Sequence, residues 1–493
     1  MNKAFIIKIL GFILLIEAVL MLAPIITGLV YGESDWVYFL YTLIGEAIVG
    51  GAIAYFVKPK RKKLHPVDGF LVVACAWVLL SAVGAIPFCL CGAYPDYLDA
   101  LFEMVSGFTT TGITIVPDVE ILSHSVLIFR SLSQWIGGMG VLVFVLALGP
   151  VAGGSSFSIY KAEAPGPVKE KITSKISTSA KYLYLIYILL TAVEFVALVI
   201  SGVAPFTSLN TAFTTMATGG FGIFNDSLAS FTMGQQIIVE IFMFLAAVNF
   251  ALLFLAFTGK FKRILKNTEF WVYLTIIILF AAAISYNTIS VSAFNTAGEA
   301  IHHSIFGVIS SLSSTGFSST DMNVWPWFSK GLIILLMYIG GCAGSTAGGV
   351  KVSRFVIVFK AAFNYLKELA HPRTVREITF NKKKLRPEFV RNTLIYFSLL
   401  IVISITSMII VSQDPTLDFS SSFAAVATTL NNNGIDFHGV SVGGYITFEW
   451  YTKIVFIFDM LIGRLEIFPI LILLMMIFSP VGKIKGKFKK KIK

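Results

Sequence analysis

Four short segments rich in Thr, Ser, Asn and Gly stand out in a chain that is otherwise strongly apolar. They begin at Ser106, Thr215, Leu312 and Thr428 and have the sequences SGFTTTGI, TMATGGFG, LSSTGFS and TTLNNNGI. None of the four contains an acidic residue. Their chemistry is that of hydroxyls, amides and backbone carbonyls, which replace the hydration shell of a monovalent cation in selectivity filters.

The four segments recur along the chain at similar intervals. Alignment of Gly112, Gly220, Gly316 and Gly434 gives spacings of 108, 96 and 118 residues. One such run is an ordinary loop sequence, but four at matching positions indicate an internal repeat. Glycine lacks a Cβ and reaches the backbone angles that aim successive carbonyls toward one axis. The predicted filter residues are Thr110, Thr111, Gly112, Ile113, Thr218, Gly219, Gly220, Phe221, Thr315, Gly316, Phe317, Asn432, Asn433, Gly434 and Ile435.

The composition places these segments in a membrane protein. Of the 493 residues, 56% are hydrophobic and only 13% are charged, whereas about a quarter of a soluble domain is charged. Residues 70–95 and 131–160 contain no charged residue and are long enough to cross a bilayer. The first apolar stretch, residues 4–30, is too long for a cleavable signal and contains Glu17. We predict that it is a permanent span.

The formal net charge of +11 is unevenly distributed. Most of the 38 Lys and Arg residues fall at the two ends of the chain and in residues 58–63, 161–181, 260–266 and 351–391. The segments between these clusters are acidic or neutral, which is the positive-inside pattern of membrane proteins and not a nucleic-acid footprint. We therefore expect a multi-pass protein with both termini in the cytoplasm. Its partner is expected to be the lipid bilayer and not nucleic acid.

The basic clusters divide the chain into spans. Two helices, residues 4–30 and 37–57, are followed four times by a long span, a shorter apolar segment, a polar loop and a second long span. A segment of about a dozen residues cannot cross the membrane, so we expect a half-helix that enters from outside. Its C-terminal end carries about half a negative charge, which favours a cation at the membrane centre.

The predicted fold is an all-α integral membrane protein. Four pseudo-fourfold helix–pore-loop–helix repeats surround a central pore, and two further transmembrane helices precede them. The predicted units are residues 1–63 for the N-terminal helices, 64–160, 161–266 and 267–388 for the first three repeats, and 389–493 for the fourth repeat with a basic tail.

A Gly-rich run, GGCAGSTAGG from Gly340 to Gly349, lies inside the last span of the third repeat. Each Gly costs a helix about 1 kcal/mol relative to Ala, so we expect the helix to break here, although small-residue packing between helices is the alternative. Arg464 lies in the last span of the fourth repeat. A charge at that depth needs a cavity or a partner; pairing with Asp459 or Glu466 is possible, but their spacings suit a helix poorly.

Four acidic residues also lie within predicted spans: Glu17, Glu46, Glu194 and Glu240. They are candidates for a proton relay or for hydrogen bonds between helices, and we expect the hydrogen bonds because no partner His is evident. The acidic residues outside the spans could raise the local cation concentration, but we interpret them as solvated loop charges; they are Asp96, Asp99, Asp321, Asp414 and Asp418.

Other classes of membrane protein fit less well. No helix carries Arg or Lys at every third position, as a voltage sensor requires. No His-Glu-x-x-His motif or nucleophile with a base is present, and an enzyme is not expected. The adjacent His302 and His303, and the pair Cys89 and Cys91, are weak metal candidates.

These motifs together resemble the potassium-uptake superfamily that includes bacterial Trk and Ktr pore subunits and plant HKT transporters, and within it the TrkH type. The resemblance covers essentially the whole chain and includes GRLEIF from Gly463 to Phe468. It implies that the four aligned glycines belong to a selectivity filter. It also implies that Gly112, a glycine and not a serine in the first repeat, indicates a preference for potassium. The three Asn residues before Gly434 depart from the Thr-rich pattern.

The same resemblance implies how the pore is controlled. The gate residues would be Gly340, Gly341, Gly344, Ser345, Thr346, Gly348, Gly349 and Arg464. The segment would obstruct the pore until it moves, and Arg464 would repel cations in the closed state.

The resemblance also implies a homodimer in a bacterial or archaeal plasma membrane, with a cytoplasmic nucleotide-binding regulatory subunit similar to TrkA. No cofactor is expected on this chain, and potassium is the substrate. Sodium permeation, or coupling to protons or sodium, stays open.

Overall fold

The structure is a computed structural model that describes residues 2–59, 66–140, 176–371, 377–435 and 445–478. Within these ranges the chain is mostly helical, as predicted. The predicted boundaries at residues 63 and 160 and the basic C-terminal tail lie outside the described residues. The boundary placed after residue 388 falls just inside a helix that begins at Pro387.

The two N-terminal spans pack tightly against each other. The first consists of α1 (Lys3–Leu20) and its continuation α2 (Leu22–Tyr31), and the second is α3 (Trp36–Phe56). A Cβ on Gly50 would lie 2.8 Å from the carbonyl oxygen of Gly11, so α1 and α3 approach closely only because both residues are glycines. Small residues at helix contacts are the usual means of close packing within membranes.

The remaining helices follow one order four times: a long helix, a short helix, a polar loop and a further helix or helix pair. The first set is α4 (Pro66–Leu90), α5 (Tyr97–Phe108) and α6 (His124–Gly138). The second set is α7 (Ile176–Ile200), α8 (Pro205–Met216), α9 (Met233–Ala247) and α10 (Phe250–Phe257), followed by the short α11 (Phe261–Ile264). The third set is α12 (Thr268–Ser290), α13 (Ala297–Leu312), α14 (Trp327–Ile339) and α15 (Val352–Ala370). The fourth set is α16 (Pro387–Val411), α17 (Phe419–Leu430), α18 (Trp450–Leu465) and α19 (Ile467–Phe478).

Six spans among the described residues are long and apolar enough to cross a bilayer. A seventh results if α9 and α10, which meet at an angle of 105°, form one span. The short helices α5, α8, α13 and α17 have 12 to 16 residues and are too short to cross. The last spans of the third and fourth sets are interrupted, between Ile339 and Val352 and at Glu466.

Glu33, in the connection between α2 and α3, joins the N-terminal helices to the first repeat. The backbone N–H groups of His124 and Ser125 donate to its carboxylate at 2.7 and 3.0 Å, so Glu33 satisfies the first turn of α6. Partial burial alone would raise the pKa of Glu33, but the hydrogen bonds from His124 and Ser125 outweigh it and lower the pKa below its ordinary value.

A small hairpin lies in the long basic segment that connects the third and fourth sets. Its antiparallel strands are β1 (Thr379–Phe380) and β2 (Lys383–Lys384). The Asn381 side chain accepts a hydrogen bond from the backbone N–H of Thr268 at 2.8 Å, and Lys360 donates to the Thr379 carbonyl. The hairpin is therefore attached to both α12 and α15.

Candidate functional site

The four polar loops have the same backbone conformation. In each, the residue two positions before the aligned glycine has a positive φ, between 49° and 58°. These residues are Thr110, Thr218, Ser314 and Asn432. Each donates its N–H to the carbonyl three positions earlier, and the next residue donates to the carbonyl five positions earlier. This pair of bonds is the Schellman motif, which ends the helices α5, α8, α13 and α17 in the same way.

The loops lie against one another in the order of the chain and close into a ring. A Cβ on Gly112 would overlap the Gly219 carbonyl oxygen, and a Cβ on Gly220 would overlap that of Thr315. A Cβ on Gly316 would overlap the backbone of Gly434, and a Cβ on Gly434 would lie 3.0 Å from the Thr111 carbonyl oxygen. The aligned glycine of each loop therefore faces the next loop, and the fourth faces the first.

The first three of these glycines have a second reason to be glycine. Their φ angles are +85°, +73° and +86°, which L-residues with a side chain rarely adopt. Four helix C-termini, each with a partial negative charge, end at this ring of backbone. With no acidic side chain in the loops, the arrangement suits a partly dehydrated monovalent cation.

The side chains that follow the aligned glycines are buried. Ile113, Phe221, Phe317 and Ile435 are all at most 3% exposed. The side chains of Thr110, Thr111, Thr218, Thr315, Asn432 and Asn433 are fully buried as well. The structure therefore brings together all the residues predicted for the filter in one ring, in which the side chains are buried while Gly112 and Gly434 are partly exposed.

Gln134 on α6 holds the second loop in place. Its Nε2 donates to the Gly219 carbonyl at 3.0 Å and its Oε1 accepts from the Phe221 N–H at 3.1 Å. One side chain from the first repeat thus fixes both sides of Gly220. Gln134 was not among the predicted residues, because nothing near it in the sequence indicates a contact 85 positions away.

A buried ion pair supports the first loop just after Gly112. Arg130 Nε lies 2.8 Å from Glu103 Oε1, and both side chains are at most 1% exposed. Glu103 also accepts from the Ile115 N–H, while the Arg130 guanidinium lies 4.3 Å from the ring centroid of Phe221. Arg130 therefore connects the short helix of its own repeat to the second loop.

The Asn residues of the fourth loop make hydrogen bonds that Thr is too short to make. Asn432 Nδ2 donates to Thr111 Oγ1 at 2.9 Å and to the Met460 carbonyl at 2.8 Å. Asn433 Nδ2 donates to the Ser311 carbonyl at 2.8 Å. The departure from the Thr-rich pattern thus tethers the fourth loop to both of its neighbours in the ring.

Residues 340–351, which we call the Gly-rich segment, are not helical and lie directly against the ring. Thr346 Oγ1 donates to the Met216 carbonyl at 3.1 Å, and the Gly349 N–H donates to the Asn431 carbonyl at 3.0 Å. The Gly348 N–H donates to Ser314 Oγ at 2.5 Å. The segment therefore contacts the C-terminal ends of three of the four short helices. The predicted break in the helix is present.

Arg464 bridges the Gly-rich segment and the first repeat. Its guanidinium donates to the Thr346 carbonyl at 2.8 Å and to the carbonyls of Gly137 and Gly138 at 2.6 and 2.9 Å. The carboxylates considered as partners are engaged elsewhere. Glu466 binds Arg354 at 2.7 Å, and Asp459 accepts from Ser407.

Glu269 and Lys351 hold the Gly-rich segment in place, and neither was predicted from the sequence. Glu269 Oε1, near the start of α12, accepts from the N–H of Ala343 at 2.7 Å and from that of Ser353 at 3.2 Å. Lys351 Nζ donates to the Ala347 carbonyl. A lone carboxylate at the start of an apolar span was the only available signal for Glu269.

Two expectations about acidic residues are wrong. Asp99 and Asp414 are 2% and 1% exposed, not solvated. Asp99 binds Lys453 at 2.6 Å, and Asp414 accepts the Glu449 N–H at the start of α18. Glu17 and Glu46 have no hydrogen-bond partner for any carboxyl oxygen among the described residues, so the expected bonds between helices are absent there.

Comparison with known proteins covers nearly the whole chain. The family profile described as TrkH, cation transport protein, matches residues 39–487. The Trk system potassium uptake protein TrkH of Vibrio parahaemolyticus is 35% identical over 483 residues, which are 95% of this chain and 98% of that protein. The protein of the same name from Salmonella typhimurium is 32% identical over 475 residues, 94% of this chain and 97% of its own length.

The fold agrees as well. The crystal structure of the potassium transporter TrkH from Vibrio parahaemolyticus superposes with a TM-score of 0.86 at 32% sequence identity, and the match covers 97% of this chain and 100% of that one. Family, relatives and fold all place the ring of loops in a membrane transporter and not in an enzyme. The chain belongs to the TrkH family of cation transport proteins.

Proposed function

We propose that this chain takes up potassium across the plasma membrane of a bacterium or archaeon, with the ring of four loops as its selectivity filter. The observation that carries the proposal is the repeated loop geometry: four helices end in one motif, and their loops meet glycine to backbone around a closed ring. Backbone carbonyls held in this way replace the hydration shell of a cation that fits. The names of the relatives, which are potassium uptake proteins, support potassium as that cation.

The Gly-rich segment and Arg464 serve as the gate. The segment lies against the inner ends of the short helices, so a cation that leaves the filter inward meets it first. Arg464 bonds to Thr346 on one side and to the Gly137 and Gly138 carbonyls on the other, which holds the segment across the path. A fixed positive charge at that position also opposes the entry of a cation.

A cytoplasmic nucleotide-binding subunit controls this gate, and two copies of the chain form a homodimer with one pore each. The attachment of the β1–β2 hairpin to α12 and α15 supports the first part. α15 follows the Gly-rich segment directly, so a force on the hairpin reaches the segment through a single helix.

The experiment is rubidium and sodium uptake, with potassium-limited growth, in a bacterium that lacks its own uptake systems, comparing the wild type with Gly112→Ser. A Cβ at Gly112 overlaps the Gly219 carbonyl and the φ of +85° is strained for serine, so the variant has to distort the filter. We expect the wild type to restore growth and Gly112→Ser to lose potassium preference by roughly tenfold, about 1.4 kcal/mol of discrimination.

The matched control is Gly234→Ser, at the start of α9, where a Cβ meets nothing within 4 Å. It should behave as the wild type does. Unchanged ion preference in Gly112→Ser would contradict the filter assignment. Failure of the wild type to support growth, with the protein in the membrane and a regulatory subunit co-expressed, would contradict potassium as the substrate.

A further inference from the structure

Two acidic residues that the transport path does not use lie buried between the N-terminal helices. Glu17 on α1 is 0% exposed and Glu46 on α3 is 3% exposed. The contact between α1 and α3 fixes the heights of Glu17 and Glu46 along the helix axes. A Cβ on Gly50 of α3 would meet Gly11 and Leu14 of α1. The two helices are successive spans and run in opposite directions. Glu17 lies about one turn after Leu14 and Glu46 about one turn before Gly50, so the two acids lie at the same height. When both are ionised, their charges repel each other.

The Glu17 carboxyl also faces the first repeat. Its Oε1 lies 3.2 Å from where a Cβ on Gly84 of α4 would be. The same point lies 2.9 Å from Met104 Cε and 3.3 Å from a ring carbon of Phe108. Met104 and Phe108 belong to α5, the short helix that ends in the first filter loop. Because Gly84 has no side chain, Glu17 lies close to Met104 and Phe108 of that helix.

No cation in the described elements neutralises this pair. The titratable groups on the elements packed against it are Lys3 and Lys8 on α1, Tyr31 on α2, Tyr38, Tyr41 and Tyr55 on α3, Asp68, Cys75 and Cys89 on α4, and Tyr97, Asp99 and Glu103 on α5. Asp99 and Glu103 already pair with Lys453 and Arg130. Lys8, the nearer lysine, lies nine residues before Glu17, which is roughly 13 Å along the helix.

The four carboxyl oxygens have no hydrogen-bond partner among the described residues. Two neighbouring carboxylates in an apolar setting are costly to ionise together, and one bound proton removes both the repulsion and the lack of a hydrogen-bond donor. The protonated acid donates to the remaining carboxylate, so the pair carries one charge less and gains the donor that the helices do not supply. A buried, unpartnered carboxyl pair with no counter-cation is therefore a binding site for a proton.

We propose that Glu17 and Glu46 form a proton-binding site between the N-terminal helices and the first repeat, and that proton occupancy adjusts cation flux. With the proton bound, the two carboxyls are joined. When the proton leaves, the carboxylates repel, and Glu17 is pushed toward Gly84 and the side chains of Met104 and Phe108. The inference goes beyond the proposed function, because it does not depend on which cation the filter selects.

The direct test is infrared spectroscopy of the purified full-length protein in lipid, titrated with acid and base. We expect a protonated-carboxyl band that persists well above the pH at which exposed carboxyls ionise, and that is lost in both Glu17→Gln and Glu46→Gln. Glu388→Gln, at an exposed acid at the start of α16, is the control and should keep the band. Each variant removes a different member of the pair. If one of them fails to fold, the spectrum of the other still tests the proposal.

The second readout is rubidium uptake into proteoliposomes as a function of pH. We expect one titration step of the wild-type profile to be absent in Glu17→Gln and in Glu46→Gln but present in Glu388→Gln. A band or a step that survives unchanged in both pair variants would overturn the proposal. So would a band that responds to sodium concentration at constant pH, because the site would then hold a metal cation.

Discussion

Thr110, Thr218, Ser314 and Asn432 occupy the left-handed region of backbone conformation where a helix C-cap usually carries Gly. Their side chains are fully buried and pack within the ring, so replacing them with Gly would remove contacts that position the loop. The strain of a left-handed residue is about 1–2 kcal/mol. Four copies of it at one site are typical of a functional constraint on the backbone.

The glycines two positions later differ among themselves, and this difference gives a prediction at the residue scale. Gly316 has a φ of +86° and its Cβ would overlap the Gly434 backbone. Gly434 has no positive φ, and its Cβ would lie 3.0 Å from the Thr111 carbonyl oxygen, a contact that a small shift relieves.

We therefore expect Gly434→Ala to keep most rubidium uptake and potassium preference, and Gly316→Ala to lose them. The left-handed strain alone adds about 1–2 kcal/mol to the cost at Gly316. The measurement is uptake of rubidium and sodium at matched protein levels. An equal loss of uptake in the two variants would mean that the ring tolerates no side chain at any of its four positions. That result would contradict the room inferred at Gly434.

At the scale of elements, the Gly-rich segment replaces three turns of helix between α14 and α15. Glu269 accepts hydrogen bonds from Ala343 within the segment and from Ser353 at the start of α15, and Lys351 donates back to the Ala347 carbonyl. These contacts replace the backbone bonds that an intact helix would make. The segment is therefore held by hydrogen bonds to neighbouring elements, among them Cys342 N–H to the Ala247 carbonyl and Gly349 N–H to the Asn431 carbonyl, and not by the ladder of a continuous helix.

Arg464→Ala should raise resting uptake. It removes three hydrogen bonds between the segment and the first repeat, together with a positive charge beside the path. The measurement is rubidium uptake into proteoliposomes without a regulatory subunit, and we expect an increase of severalfold. Arg464→Lys keeps the charge but loses the forked geometry, so its flux should be intermediate. Resting flux in Arg464→Ala equal to that of the wild type would rule out this gate.

At the scale of the whole molecule, the ring needs contacts that join the last repeat to the first. Lys453 on α18 binds Asp99 at the start of α5 at 2.6 Å, across 354 residues of sequence. Both side chains are at least nine-tenths buried. Asn432 adds a second link through Thr111. These contacts hold the fourth loop beside the first, which closes the ring.

Lys453→Met should destabilise the protein strongly, because removal of one partner of a buried pair costs about 3–5 kcal/mol. Lys453→Met combined with Asp99→Leu should recover much of this, since no unpaired charge remains. The measurement is the thermal unfolding midpoint in detergent. Lys330→Met is the control, because Lys330 occupies the corresponding place in the third repeat and, among the described residues, has no carboxylate within ion-pair distance; it lies over the Trp327 ring at 5.0 Å. A double variant no more stable than Lys453→Met would contradict the pairing.

The sequence by itself determined the local features of this protein. The membrane helices follow from apolar length, the four loops from Thr, Asn and Gly in a recurring pattern, and the broken helix from five Gly residues in ten, because each of these properties depends on neighbouring residues. The family followed from the same motifs.

Only the tertiary structure decided how these parts meet. Gln134 at the second loop, Arg464 at the Gly137 carbonyl, and Asn432 at Thr111 join residues that are 85 to 327 positions apart. It also showed that the carboxyl oxygens of Glu17 and Glu46, expected to bond across helices, are buried without a hydrogen-bond partner among the described residues. Such contacts depend on how the helices pack around the ring, and local spacing carries no record of which distant side chain will fill a given hydrogen-bonding position.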